Sequence, residues 1–149
     1  MCVLMRAVRE LADAGIATTV LVAPIIPFIN DEFIERVLEA SRDAGSVCAS
    51  YTVIRLPYEP KELWKDWLAT HFPDHAEHVM KRIRDMKGGR ENISDFGQRM
   101  RGTGIYADLI RQRLRKTCAR LGLSAANLPA LRLTQFTPPR EATPQQSRL

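Results

Sequence analysis

Ile16-Ala17-Thr18-Thr19-Val20-Leu21-Val22-Ala23-Pro24-Ile25-Ile26-Pro27-Phe28-Ile29-Asn30 is the stretch whose reading decides the fold. Residues 16–23 are β-branched and mostly apolar without clean alternation, which is the pattern of a parallel strand covered on both faces. Pro24 and Pro27 each withhold a backbone donor and restrict the residue before them, so the strand should end near Ala23 and the chain should enter a shaped loop. Asn30 or Asp31 can cap the next helix, with Asp31 and Glu32 complementing the positive end of its dipole. That helix places Phe33, Ile34, Val37, Leu38 and Ser41 on one stripe and stops at Ala44-Gly45. Val47-Cys48-Ala49-Ser50-Tyr51-Thr52-Val53-Ile54-Arg55-Leu56 reads as a second strand, closed by Pro57.

Strand, loop, helix and strand make a β-α-β unit, with two adjacent parallel strands and a right-handed crossover expected. A further amphipathic helix precedes it. Leu4, Ala7, Val8 and Leu11 share one face, and Ala14-Gly15 ends the helix. The succession is that of late units in a β/α barrel. Two doubly covered strands with a few helices cannot cover two sheet faces and satisfy two long edges. The expected class is therefore α/β: the C-terminal part of a partial β/α (TIM-like) barrel, followed by a helical extension. Its N-terminal barrel portion would be missing or supplied by a partner chain.

Beyond Pro57 the pattern turns helical. Leu63, Trp64, Trp67 and Leu68 share a face from about Pro60 to Phe72-Pro73, and Asp74 with Glu77 resembles a capping box before the stripe Val79, Met80, Ile83 and Met86. The glycine- and charge-rich stretch from Gly88 to Ile105 has neither periodicity, and a loop of that length is usually functional or mobile. A last helix from about Tyr106 to Leu121 buries Tyr106, Ile110, Leu114, Thr117 and Leu121, with Gly122 as its cap. The organisation expected is barrel units over 1–58, a helical extension over 59–123 and a poorly ordered tail over 124–149, in which Leu131–Phe136 could form a short strand or docking segment.

Charge is unevenly placed. The formal net charge is +5, yet residues 1–80 carry 7 basic and 12 acidic side chains while residues 81–120 carry 12 basic and 4 acidic. Cys2, Cys48 and Cys118 are too sparse for a disulfide framework and form no metal-binding spacing, so a reduced cytoplasmic setting is expected. No apolar run approaches the roughly 20 residues of a membrane span.

Further residues group into ordered motifs: Ala23 to Asp31, Arg55-Leu56-Pro57, Asp66-Trp67-Leu68 with His71-Phe72-Pro73, Phe96 to Gly102, and Tyr106 to Arg111. In these the chain resembles the C-terminal half of the spore-photoproduct-lyase-like, or DNA-repair-photolyase-like, group of radical S-adenosylmethionine proteins over about residues 1–123. The resemblance implies a [4Fe-4S] cluster held by a C-x-x-x-C-x-x-C loop, S-adenosylmethionine bound to it, and 5′-deoxyadenosyl radical chemistry of lyase type. This sequence has no such cysteine loop, so the cluster is not expected on this chain alone. What carries over is a wall of the cofactor and substrate pocket at the carboxyl ends of the strands. Pro24, Asn30 and Arg55 are the candidate cofactor-binding residues, and no catalytic or metal-ligating residue is assigned.

Each candidate has a plainer role. Pro24 and Pro27 punctuate the strand and helix, and Asn30 can serve as a cap. Arg55 interrupts an apolar strand, where an unpaired guanidinium is costly, so either an ion pair or a cofactor or substrate contact must account for it. Tyr51 is core or pocket lining. Trp64 and Trp67 pack a helix or stack bases. His71, His75 and His78 could be metal ligands but sit beside expected caps and helix surface. Cys48 and Cys118 read as small core residues. The arginine-rich segment is a solvated helix face or binds nucleic acid or another phosphate-bearing substrate. The leading expectation is a radical enzyme portion inactive alone. The alternatives are a basic nucleic-acid-binding module without enzymatic activity and a nonfunctional remnant.

Overall fold

The computed structural model describes residues 3–57, 60–125 and 137. Cys2, the expected segment Leu131–Phe136 and the polar end from Glu141 lie outside the described residues. In chain order the elements are α1 (Val3–Asp13), β1 (Thr19–Ile25), a 3-10 turn (Asp31–Phe33), α2 (Ile34–Asp43), β2 (Cys48–Val53), α3 (Pro60–His71), α4 (Ala76–Asp85) and α5 (Gly104–Leu121).

The β-α-β unit forms. β1 and β2 pair in parallel, with Thr19 opposite Cys48 through Val22 opposite Tyr51, and after an irregularity Ile25 stands opposite Val53. The sheet has only these two strands among the described residues and is open. This corrects the expected barrel portion, because closure needs many tilted, staggered strands. The chain itself covers the outer edge of β2, where a barrel neighbour would pair. Ala49 N–H donates to Ser124 O at 2.9 Å, and Val53 N–H donates to Met100 O at 2.8 Å. The described residues after Pro57 return to the sheet as loop and helix and add no further strand, and Ser124, expected to begin the tail, forms a parallel bridge with Cys48.

Two clusters hold the fold. The first joins Ile25, Ala49, Tyr51 and Val53 of the sheet region to Ile34 and Leu38 of α2 and to Ile110, Leu114 and Cys118 of α5. Full burial of a side chain such as Ile34 or Leu38 is worth roughly 1.5–3 kcal/mol. The second cluster packs Ile54 and Leu56 against Leu68 of α3 and Val79, Met80 and Ile83 of α4. The helix α5 begins at Gly104, two positions before the expected Tyr106, and ends where Gly122 takes the left-handed conformation at φ 71°. Neither Asp74 nor any other side chain caps α4: its N-cap is His75, so the expected capping box is absent.

The outer side of the unit is different. Instead of the expected cover on both faces of β1, Thr19, Leu21 and Ala23 are exposed, Leu21 at 57%. No residue of α1 is buried, and Leu4 and Leu11 of its expected apolar face are exposed. The helix meets the rest of the chain at Gly45, where a Cβ would stand 2.5 Å from the Ala12 Cβ. Arg9 adds a bond from Nη2 to the Asp43 carbonyl at 2.7 Å.

Candidate functional site

β1 runs two residues past its expected end at Ala23, through Pro24 to Ile25, and its end and the loop that follows are shaped by their own backbone. The Ala23-Pro24 peptide is cis, and Phe28 is a non-glycine residue at φ 63°, a sparsely populated conformation. Asn30 holds this shape: its Oδ1 accepts the Ile26 N–H at 2.7 Å and its Nδ2 donates to the Pro24 carbonyl at 2.9 Å. It occupies the N-cap position of the 3-10 turn without a side-chain cap bond, so the amide ties the loop and does not cap the helix. Pro24 and Asn30 line one groove of about 390 Å³ with Leu21, Ala23, Phe33 and Val37. The stripe foreseen for α2 thus divides, with Ile34, Leu38 and Ser41 buried and Phe33 and Val37 facing this groove.

Arg55 lies apart from that groove, just past the end of β2, so the three candidates do not converge on one cavity. The strand ends are nonetheless adjacent, since Ile54 N–H donates to the Ile25 carbonyl at 3.0 Å. Arg55 is half-buried, and its Nε is buried without a hydrogen-bond partner. Among the described residues no carboxylate pairs with it. Another cation lies within reach of its charge. Lys87 is 1% exposed and donates from Nζ to the Arg99 carbonyl at 2.8 Å. Burial first, then the charge of Arg55, pushes the Lys87 ammonium below its ordinary range.

Lys87 escapes a reading of the sequence, although a signal is present. Val79, Ile83 and Lys87 are spaced i, i+4, i+8, so the lysine continues the buried stripe of α4 into the following turn. The terminal charge hides that spacing.

Much of the basic segment is already engaged. Arg113 clasps Glu35 through Nε at 2.9 Å and Nη2 at 2.7 Å, and this pairing holds the Glu35 carboxyl below the usual range. Arg120 pairs with Glu39, Arg111 with Asp108 and Arg84 with Glu91. Arg82 lies over the rings of Tyr106 and Phe28 at 4.9 and 5.6 Å, while the Tyr106 hydroxyl donates to Asp31. Burial, followed by that bond, pushes the phenol above its ordinary range.

Trp64 and Trp67 stack on each other at 5.0 Å, and Trp67 also meets His71 and Phe72, so much of their ring surface serves α3. Cys48 and Cys118 are buried, and burial pushes the Cys118 thiol up, away from nucleophilic readiness. No group of three His, Cys, Asp or Glu among the described residues could hold a metal ion. No helix among them is long and apolar enough to cross a membrane. No protein-family model matches the chain, no curated protein is similar to it, and no solved structure matches its fold.

Proposed function

We propose that this chain is the cofactor- and substrate-contacting portion of a radical S-adenosylmethionine iron–sulfur enzyme of the spore-photoproduct-lyase-like group, inactive alone. The observation that carries the reading is the pair Arg55 and Lys87: two cations beside the carboxyl ends of the strands, with a buried orphan Nε and no carboxylate among the described residues. A buried guanidinium N–H without an acceptor is costly, and an anionic ligand group offsets that cost. The carboxylate of S-adenosylmethionine fits Arg55 in charge and hydrogen-bonding capacity. Asn30 fits a different role, because both ends of its amide are spent on the Pro24–Ile26 backbone, making it a positioning residue for the loop.

The cluster does not fit this chain. Cys48 and Cys118 sit in a strand and a helix of the core, and the sequence holds no three-thiolate loop. The cluster belongs, in this reading, to a missing N-terminal portion or a partner chain, and the exposed apolar sides of α1 and β1 are the surfaces such a neighbour would cover. The nucleic-acid alternative has fewer free charges than the sequence suggests, because Arg84, Arg111, Arg113 and Arg120 are paired.

Anaerobic co-expression with a cluster-bearing segment from the same source tests the proposal. The expected result is 5′-deoxyadenosine formation that requires both parts and falls about tenfold or more in Arg55→Gln, the scale of one lost charge-assisted contact. Deoxyadenosine formation indifferent to the presence of this chain sinks it.

A further inference from the structure

A separate group of arginines lies along the outer edge of β2. A cavity of about 210 Å³ is lined by Tyr51, Arg101, Arg111, Leu114, Arg115 and Ala125. Arg101 is held in place, its Nη2 donating to Ser50 Oγ at 3.1 Å and its guanidinium lying 4.2 Å from the centre of the Tyr51 ring. Arg111 is joined to Asp108 at 2.7 Å, whereas Arg101 and Arg115 meet no carboxylate among the described residues. Three guanidiniums against one carboxylate leave a local surplus of positive charge.

Tyr51 supplies an independent observation. The residue is 3% exposed and its hydroxyl is buried with no hydrogen-bond partner. A buried donor without an acceptor is rare in folded proteins, and here the Tyr51 hydroxyl is one on the wall of an arginine-lined cavity.

We propose that this cavity binds the phosphate group of a phosphate-bearing ligand, with Arg101, Arg111 and Arg115 as its cationic contacts and Tyr51 as a neutral donor. A phosphate monoester carries close to two negative charges at neutral pH and several strong acceptor oxygens, which matches the local surplus. The volume is below the roughly 300–1,000 Å³ of pockets that enclose a whole small molecule, so the phosphate is enclosed and the group it esterifies lies outside. An adjoining cavity of about 420 Å³ shares Arg115 and Ala125 and is walled by Cys118, Ala119 and Leu123, offering an apolar surface for that group. The site does not depend on the radical-enzyme reading.

Calorimetric titration of the full chain with inorganic phosphate, adenosine monophosphate and a short single-stranded oligonucleotide tests it. Inorganic phosphate is expected to bind saturably at low salt, and Arg111→Gln with Arg115→Gln, both on the exposed side of α5, to weaken it by about tenfold or more. Lys81→Gln with Arg90→Gln removes the same charge away from the cavity and should leave the affinity unchanged. Tyr51→Phe, checked for folding by circular dichroism, should cost about threefold, the worth of one neutral hydrogen bond. Oligonucleotide binding that falls in the same double variant identifies nucleic acid as the phosphate source. Tighter binding of the mononucleotide, with no oligonucleotide competition, identifies a small ligand. Absence of saturable phosphate binding, or equal loss in the control pair, overturns the proposal.

Discussion

β1 and β2 are adjacent in the same sheet, but their surroundings are opposite. Ala49, Tyr51 and Val53 of β2 are buried against α2 and α5, and the outer edge of that strand is bonded by Ser124 and Met100. Leu21 of β1 faces solvent, and α1, the helix that leads into β1, buries none of its residues. An apolar strand therefore announces that it needs covering without saying which part of a molecule covers it. On the β2 side the chain provides the cover, and on the β1 side it leaves an apolar surface of the kind that a neighbour would take.

The largest expected difference between the two sides lies in apolar truncation. Leu38→Ala in α2 should lower unfolding free energy by about 2–5 kcal/mol, while Leu21→Ala in β1 should cost under about 1 kcal/mol because its side chain is already in water. Denaturant unfolding of both variants measures the contrast. Equal losses would show that β1 is covered in solution and would erase the distinction.

A second contrast concerns charge. The folded chain depresses the Lys87 ammonium below its ordinary value of 10.5, so between those two values the unfolded chain binds more protons. Stability contributed by this group therefore rises with pH toward 10.5 and is lost as pH falls through the depressed value. Lys87→Met should remove that alkaline rise from the pH dependence of the denaturation midpoint. An identical profile in the variant would place the ammonium in water, contrary to its burial.

The smallest effect separates two ion pairs. Glu35→Gln breaks the two-bond clasp between α2 and α5 and should cost about 1 kcal/mol at neutral pH, whereas Glu10→Gln, which breaks the exposed pair with Arg6, should leave the midpoint unmoved. Because Arg113 lowers the Glu35 carboxyl, its contribution is complete above the ordinary value of 4.5 and fades as pH falls through the lowered one. Acid titration of the Glu35→Gln variant should show that portion of the slope missing.

Part of this architecture is legible in the residues alone. Pro57 follows the β-α-β unit, Ala44-Gly45 ends its helix, and Gly122 ends α5, because proline and glycine act through the local backbone, whereas β1 runs through Pro24 to Ile25 and past its expected end at Ala23. The expected barrel fails for a tertiary reason: the glycine-rich loop brings Met100, and the turn after α5 brings Ser124, to the edge where a further strand would pair. At the candidate site, Arg55 stands out as a charge in an apolar run, but the lack of a carboxylate beside it among the described residues depends on the placement of distant side chains. Lys87 escapes because a lysine on a helical stripe normally reaches water, and only the packing around it shows that this one does not.

Neighbours along the chain are enough to set the kind and order of the elements, the shaped loop after β1 and the lack of a cluster-binding cysteine motif, since each is a property of residues close together in sequence. Packing in three dimensions selects which edge of the sheet is covered, which arginines are spent in ion pairs and which cations are left without a carboxylate among the described residues. Those outcomes rest on contacts between residues far apart in the chain, and the order of residues does not specify the partners of a buried charge.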